Sequence, residues 1–245
     1  MIKMIIVEFK KFLETKFIIL YTFITFITCF FITFIEKTLF ENTADAFSYL
    51  EFLNFNSTFM LVKIIFPVLM IFIVSNVFSS DYSDGTLKYF LLSDISKNKI
   101  YFGKIIFIMS ISILTILVIF WGLNISFVVF FKDVIIIEHC LIALSAYFLI
   151  GIGVIPIVLI TIIISFFISD FIKTNFISIG FLILSLVTDG LFEGKFYSPT
   201  GFISNANLYF EKFIDISSYC IMIAFYTLLL NIVILMIFNK KDFWL

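Results

Sequence analysis

Apolar residues in this chain run on without interruption instead of alternating with polar ones. Six such runs stand out, at 17–35, 58–78, 105–130, 140–168, 176–192 and 217–238. A helix needs ~20 apolar residues, with shorter and longer variants, to cross a hydrocarbon core of roughly 30 Å. Strands of a membrane barrel would instead show pieces of ~10 residues with alternating polarity. Lipid offers no partner for a backbone N–H or C=O, so continuous runs predict an all-α integral membrane protein with six transmembrane helices. The segment ahead of the first run has a different pattern. Ile2, Ile5, Ile6, Phe9, Phe12 and Leu13 fall on one arc of a helical wheel, and Lys3, Lys10, Lys11 and Glu14 on the other. This predicts an N-terminal amphipathic helix over 1–16 that lies in the membrane interface and feeds the first span. No small-residue cleavage site follows that span, so it is expected to stay in the mature chain. No repeat of 20–50 residues is visible, and the whole of 1–245 reads as one transmembrane domain.

Composition strengthens the membrane reading. Of 245 residues 62% are hydrophobic and 13% charged, against roughly 25% charged in a soluble domain. A net charge of −1 gives no reason to expect nucleic acid as a partner. The charges fix an orientation. Lys3, Lys10, Lys11, Lys16, Lys88, Lys97, Lys99, Lys104, Lys173, Lys240 and Lys241 fall on one side of the six spans, and Lys37, Lys132, Lys195 and Lys212 on the other. Positive residues stay cytoplasmic, which places both termini inside and makes 79–104 an inner loop.

The residues that most membrane enzymes need are missing. The chain has one histidine, His139, so no HExxH zinc site or two-histidine site can be built. At the outer end of span four it reads as an interfacial residue. A phosphate-binding loop requires Gly, four residues, then Gly-Lys-Ser/Thr. The pairs Gly103-Lys104 and Gly194-Lys195 are followed by Ile105 and Phe196 and have Asn98 and Asp189 where the first glycine belongs. Cys29, Cys140 and Cys220 lie far apart in apolar runs and read as inert thiols. This chain is therefore expected to be non-catalytic. Inside the spans, Lys63 either snorkels to the headgroups or pairs with Asp189 or Glu193 near the outer end of span five. Lys63, Asn124 and Asp189 are the candidates for a substrate or gating path. Gly151, Gly153 and Pro156 allow a kink in span four.

The inner loop carries the strongest pattern. Leu87, Phe90, Leu91 and Ile95 lie at helical spacing and give a short cytoplasmic helix an apolar stripe, which suits docking onto a membrane or a protein. In order along the chain come Asp81, Gly85-Thr86-Leu87, Leu91-Leu92, Ile95-Ser96-Lys97 and Gly103-Lys104. This pattern resembles the type-2 ABC transporter permeases, departing from their usual Pro at Asp94 and their usual Arg at Lys97. The segment 193–216, with Tyr197-Ser198-Pro199-Thr200, is similar to the outer re-entrant hairpin of that family. The resemblance implies that 79–104 is a coupling loop docked on a cytoplasmic ABC ATPase subunit, present in two copies, which binds ATP and Mg and hydrolyses the ATP. It also implies a second permease subunit, identical or homologous, in a bacterial cell membrane. The small size looks most like permeases that export amphipathic peptides or antibiotics, or that confer bacteriocin immunity. An ATP-independent secondary transporter or channel is the alternative; it would need ionisable residues at the midplane or broken helices, for which only Lys63 and the span-four kink speak.

Overall fold

The computed structural model describes residues 2–14, 17–40, 49, 52, 61–81, 85, 96–131, 137–168, 170–191, 198–204, 206 and 216–240. Outside them fall Thr86, Leu87, Phe90, Leu91, Leu92 and Ile95 of the expected coupling loop, as do Glu193, Tyr197 and most of 193–216. The described residues contain six helical stretches long and apolar enough to cross a membrane. The protein is an all-α integral membrane protein.

Helix α1 covers Ile2–Glu14 and α2, the first span, Phe17–Phe40. Span two is built around α3, Phe66–Ser75, which is extended at both ends by wide π turns, Leu61–Ile65 and Asn76–Ser80. Span three is the single helix α4, Lys97–Phe131. At ~1.5 Å per residue it is ~52 Å long, far more than the hydrocarbon core requires. It starts ahead of the apolar run 105–130 because nothing in Lys97–Lys104 stops a helix, and the Ser96 carbonyl accepts the first N–H groups, from Lys99 at 2.9 Å and Ile100 at 3.3 Å. The last stretch of the expected inner loop is thus a helical extension of span three. Span four consists of α5, Ile137–Gly153, and α6, Ile155–Phe167. Span five is α7, Phe171–Leu191, and span six α8, Ile216–Lys240.

The break in span four follows from its sequence. Pro156 has no N–H to offer the preceding turn, and the Ile157 N–H bonds to Val154 O at 3.0 Å, one residue short of the α pattern. Gly153 at the break makes room for a neighbour. A Cβ there would lie 2.9 Å from Tyr219 Oη and 3.1 Å from Phe202 O.

Spans two, three and four supply most of the buried core, with Phe66, Met70, Phe107, Ile119, Phe120, Tyr147, Ile150 and Leu159 fully enclosed. Aromatic pairs join the layers, including Phe120–Tyr147 at 5.4 Å and Phe78–Phe166 at 5.7 Å between ring centroids. Spans one, five and six are peripheral and leave Phe31, Phe176, Leu184, Phe225 and Leu228 exposed. Such a surface would be a liability in water and is the expected one in lipid. Polar side chains stitch the helices together inside this apolar frame. Tyr21 Oη and Thr115 Oγ1 are 3.0 Å apart between spans one and three, and Thr33 Oγ1 and Ser126 Oγ 2.7 Å apart. Tyr101 donates to Asn231 Oδ1 at 2.6 Å between spans three and six, and Ser79 donates to Thr174 at 3.0 Å between spans two and five.

Candidate functional site

The first and last charged positions of segment 79–104, Asp81 and Lys104, meet between the end of span two and the start of span three. Asp81 is the residue that ends span two. Its N–H turns to Phe78 O, so the Val77 carbonyl is not claimed by that amide and accepts the Lys104 ammonium at 2.6 Å. The same ammonium donates to Asp81 Oδ2 and lies 3.2 Å from Glu8 Oε1 of α1. The Glu8 contact is one of charge, since Oε1 accepts no hydrogen bond among the described residues. Lys11, also on α1, donates to the other oxygen of Asp81 at 3.0 Å. Two cations and two anions therefore alternate, Lys11, Asp81, Lys104, Glu8, and tie α1, span two and span three into one knot.

Burial makes this knot consequential. The side chains of Lys104 and Glu8 are 1% and 4% exposed and that of Asp81 10%, whereas Lys11 is 38% exposed. Charges this enclosed have lost their water, and removing one partner strands the other; such losses cost about 3–5 kcal/mol. Burial opposes the charge on Asp81, but Lys104 and then Lys11 outweigh it, and the carboxyl is held below its ordinary range. Aromatic packing completes the dock. Phe9 and Phe12 set their rings edge-on to Phe107, at 4.9 and 5.6 Å, and the Lys104 ammonium sits 5.3 Å from the centre of the Phe78 ring. Because Phe107 follows Lys104 by three residues, one face of α4 makes both the ionic and the apolar contacts with α1.

The predicted apolar arc of α1 divides in two. Glu8 and Phe12 are buried against the bundle, whereas Ile6 and Leu13 remain exposed at 59% and 56%. Sequence reasoning missed Glu8 and placed Lys11 on the wetted side. The available signal was a carboxylate inside the series Ile5, Glu8, Phe9, Phe12, where an apolar residue would otherwise stand.

The remaining loop positions are spread out. Gly85 adopts φ +69°, a left-handed conformation that costs glycine nothing and other residues about 1–2 kcal/mol. Ser96 is exposed at the foot of α4, Lys97 is half-buried in its first turn, and Gly103 is buried next to Lys104. Lys63, Asn124 and Asp189 do not bond one another. Lys63 lies half-exposed in the first π turn of span two and has no ion pair among the described residues. Asn124 accepts from Tyr49 Oη and donates to Phe120 O at 2.8 Å. Asp189 accepts from the hydroxyls of Ser198 and Thr200. Among the described residues no group of three or more His, Cys, Asp and Glu gathers as a metal site.

A family model described as ABC-2 family transporter protein matches residues 4–185, from α1 into α7, and so spans the entire ionic knot and both ends of segment 79–104. No curated protein sequence matches the chain. The match covers well over half of the chain, which therefore belongs to the ABC-2 family of transporters and is a multi-pass membrane permease, a transport subunit that is not itself catalytic.

Proposed function

We propose that this permease is the membrane-spanning subunit of an ATP-driven exporter, in which segment 79–104 couples a cytoplasmic ABC ATPase to the spans. The observation that carries the reading is the buried pair of Asp81 and Lys104. It closes the base of the loop, so that a push delivered to the loop moves spans two and three together with α1. A loop whose base was open would absorb the motion in its own backbone. ATP and Mg belong on the partner subunit, two copies of which would engage two permease subunits, identical or homologous.

The surface of α1 supports a place at the inner face of a bacterial cell membrane. Ile6 and Leu13 are exposed beside Lys10, the combination by which a helix rests in headgroups. The low charge of the spans and the apolar, aromatic bundle suit an amphipathic peptide, an antibiotic or another hydrophobic cargo entering sideways from the bilayer. A role in bacteriocin immunity is one form of such export.

The test is co-purification with the ATPase from the native membrane, comparing the parent with Leu91→Asp and Lys97→Ala. Leu91→Asp places a charge in the apolar docking stripe and is expected to abolish recovery of the ATPase while the spans insert normally. Lys97→Ala is expected to bind as the parent does, with a cost of at most about 1 kcal/mol. Undiminished binding and ATP-dependent transport by Leu91→Asp would show that the loop is not the coupling element.

A further inference from the structure

The end of the bundle away from the loop mouth holds a buried carboxylate that the reading above does not use. Thr174, near the start of α7, bonds Ser79 of the loop-side end of span two. Asp189 lies ~22 Å farther along the same helix. It is 5% exposed and has no lysine partner among the described residues. An intramembrane charge of this kind costs several kcal/mol unless the fold compensates it, which makes it a functional candidate by default.

The compensation comes from one short segment. Ser198 Oγ donates to Asp189 Oδ1 and Thr200 Oγ1 to Oδ2. With their protons committed, the two hydroxyls accept in turn. The Gly201 N–H donates to Ser198 Oγ at 2.9 Å. The Thr200 N–H reaches Ser185 Oγ at 3.2 Å, and Ser185, one turn before Asp189 on α7, is 2.8 Å from Thr200 Oγ1. The carboxylate thus accepts on both oxygens, one from Ser198 and one from Thr200. A carboxamide in its place would present an N–H₂ to a hydroxyl whose proton already points at it. The far side of the segment has its own anchor. Phe202 is fully buried, and its carbonyl accepts from Tyr219 Oη of span six at 2.8 Å, in the notch left by Gly153. Residues 198–204 are thus wedged among spans four, five and six, bonded to Asp189 and Ser185 of span five on one side and to Tyr219 of span six on the other. Hydrogen bonds of this type are exchanged for bonds to water at a modest net cost, larger where one partner is charged, so the hold of Asp189 on the segment is firm but breakable.

We propose that Asp189 is a positioning residue that latches the segment 198–204 into the bundle, and that its release opens this end of the permease during transport. The ATP-linked half of this statement rests on the exporter reading. The closed half does not.

The experiment uses the full chain with its ATPase in right-side-out membranes. Cys29, Cys140 and Cys220 are replaced by Ala, Ser204→Cys is introduced as the reporter, and a membrane-impermeant maleimide is added from outside. The parent is expected to label slowly and, when ATP is turned over, about tenfold faster. Asp189→Asn is expected to label about ten- to a hundredfold faster than the parent without ATP, the range expected for losing charge-assisted hydrogen bonds, and to gain little from ATP. Asp189→Glu, which keeps the acceptor, is expected to restore most of the slow, ATP-sensitive labelling. A merely structural aspartate would leave the ATP response of the variants intact. If Asp189→Asn does not accumulate, Ser198→Ala, which leaves the carboxylate to Thr200, is expected to label a few-fold faster than the parent without ATP, and equal labelling overturns the latch. The latch is likewise overturned if Asp189→Asn labels as slowly as the parent without ATP, and the release step is overturned if ATP leaves the parent unchanged while the ATPase is bound. If no ATPase binds, the exporter reading fails, and the comparison without ATP still decides whether Asp189 holds the segment.

Discussion

Lys104 and Asp81, 23 positions apart, form a buried ion pair between the end of span two and the start of span three, and the same ammonium is bonded to the Val77 carbonyl. One side chain thus holds the end of span two by a carboxylate and a backbone carbonyl at once, and holds α1 through Glu8.

Lys104→Met keeps the stem and removes the charge, leaving Asp81 with Lys11 and stranding Glu8. The expected loss is about 3–5 kcal/mol, read as a lower Tm of the purified protein. Adding Glu8→Gln to Lys104→Met should recover part of the loss, because the stranded carboxylate is then gone. Strict additivity of the two substitutions would mean that Glu8 and Lys104 do not interact.

Lys11→Ala is expected to cost at most about 1 kcal/mol, because the Lys11 side chain is 38% exposed and water screens its pair with Asp81. A loss as large as that of Lys104→Met would show that Lys11 is held as tightly as Lys104.

The knot also predicts a pH dependence. Asp81 has a lowered pKa in the folded protein, so its contribution is complete above the unfolded value of about 3.9 and is lost as pH falls through the folded one. Asp81→Asn mimics the protonated group. The gap in Tm between the parent and Asp81→Asn should be widest near neutral pH and shrink as the solution is taken well below pH ~4. A gap that stays constant into strong acid would remove the carboxylate charge from the account.

Gly153→Ala sets a methyl group 2.9 Å from Tyr219 Oη and 3.1 Å from Phe202 O. Overpacking of this kind costs about 1–3 kcal/mol. Tyr219→Phe in the same chain removes the nearer atom and should return part of the stability, a gain measurable by thermal unfolding. If the double variant is no better than Gly153→Ala, the clash is with the Phe202 backbone.

Lys63→Met should change Tm and transport little, since Lys63 is half-exposed and makes no ion pair among the described residues. Loss of transport at normal expression would instead assign Lys63 to the cargo path.

The six crossings and the amphipathic α1 could be read along the chain because they rest on runs and periods, and a hydrocarbon solvent enforces both locally: an apolar run of sufficient length has to be helical in lipid, wherever its neighbours lie. Asp81 and Lys104 stood out in the sequence only as positions in a motif. Their pairing with Glu8 and Lys11 was not legible, because periodicity sorts residues into faces without saying which faces meet, and the cation that makes Glu8 fit among apolar neighbours comes from span three. The kink at Pro156 was visible, but the phenol of Tyr219 that fills the Gly153 notch comes from two spans away. Asp189 was considered as a partner for Lys63, opposite charge being the only rule the sequence offers. The fold gave that carboxylate to Ser198 and Thr200, since a buried anion is stabilised by whichever donors the backbone brings within about 3 Å, and hydroxyl groups carry no sign in the sequence that would announce the choice.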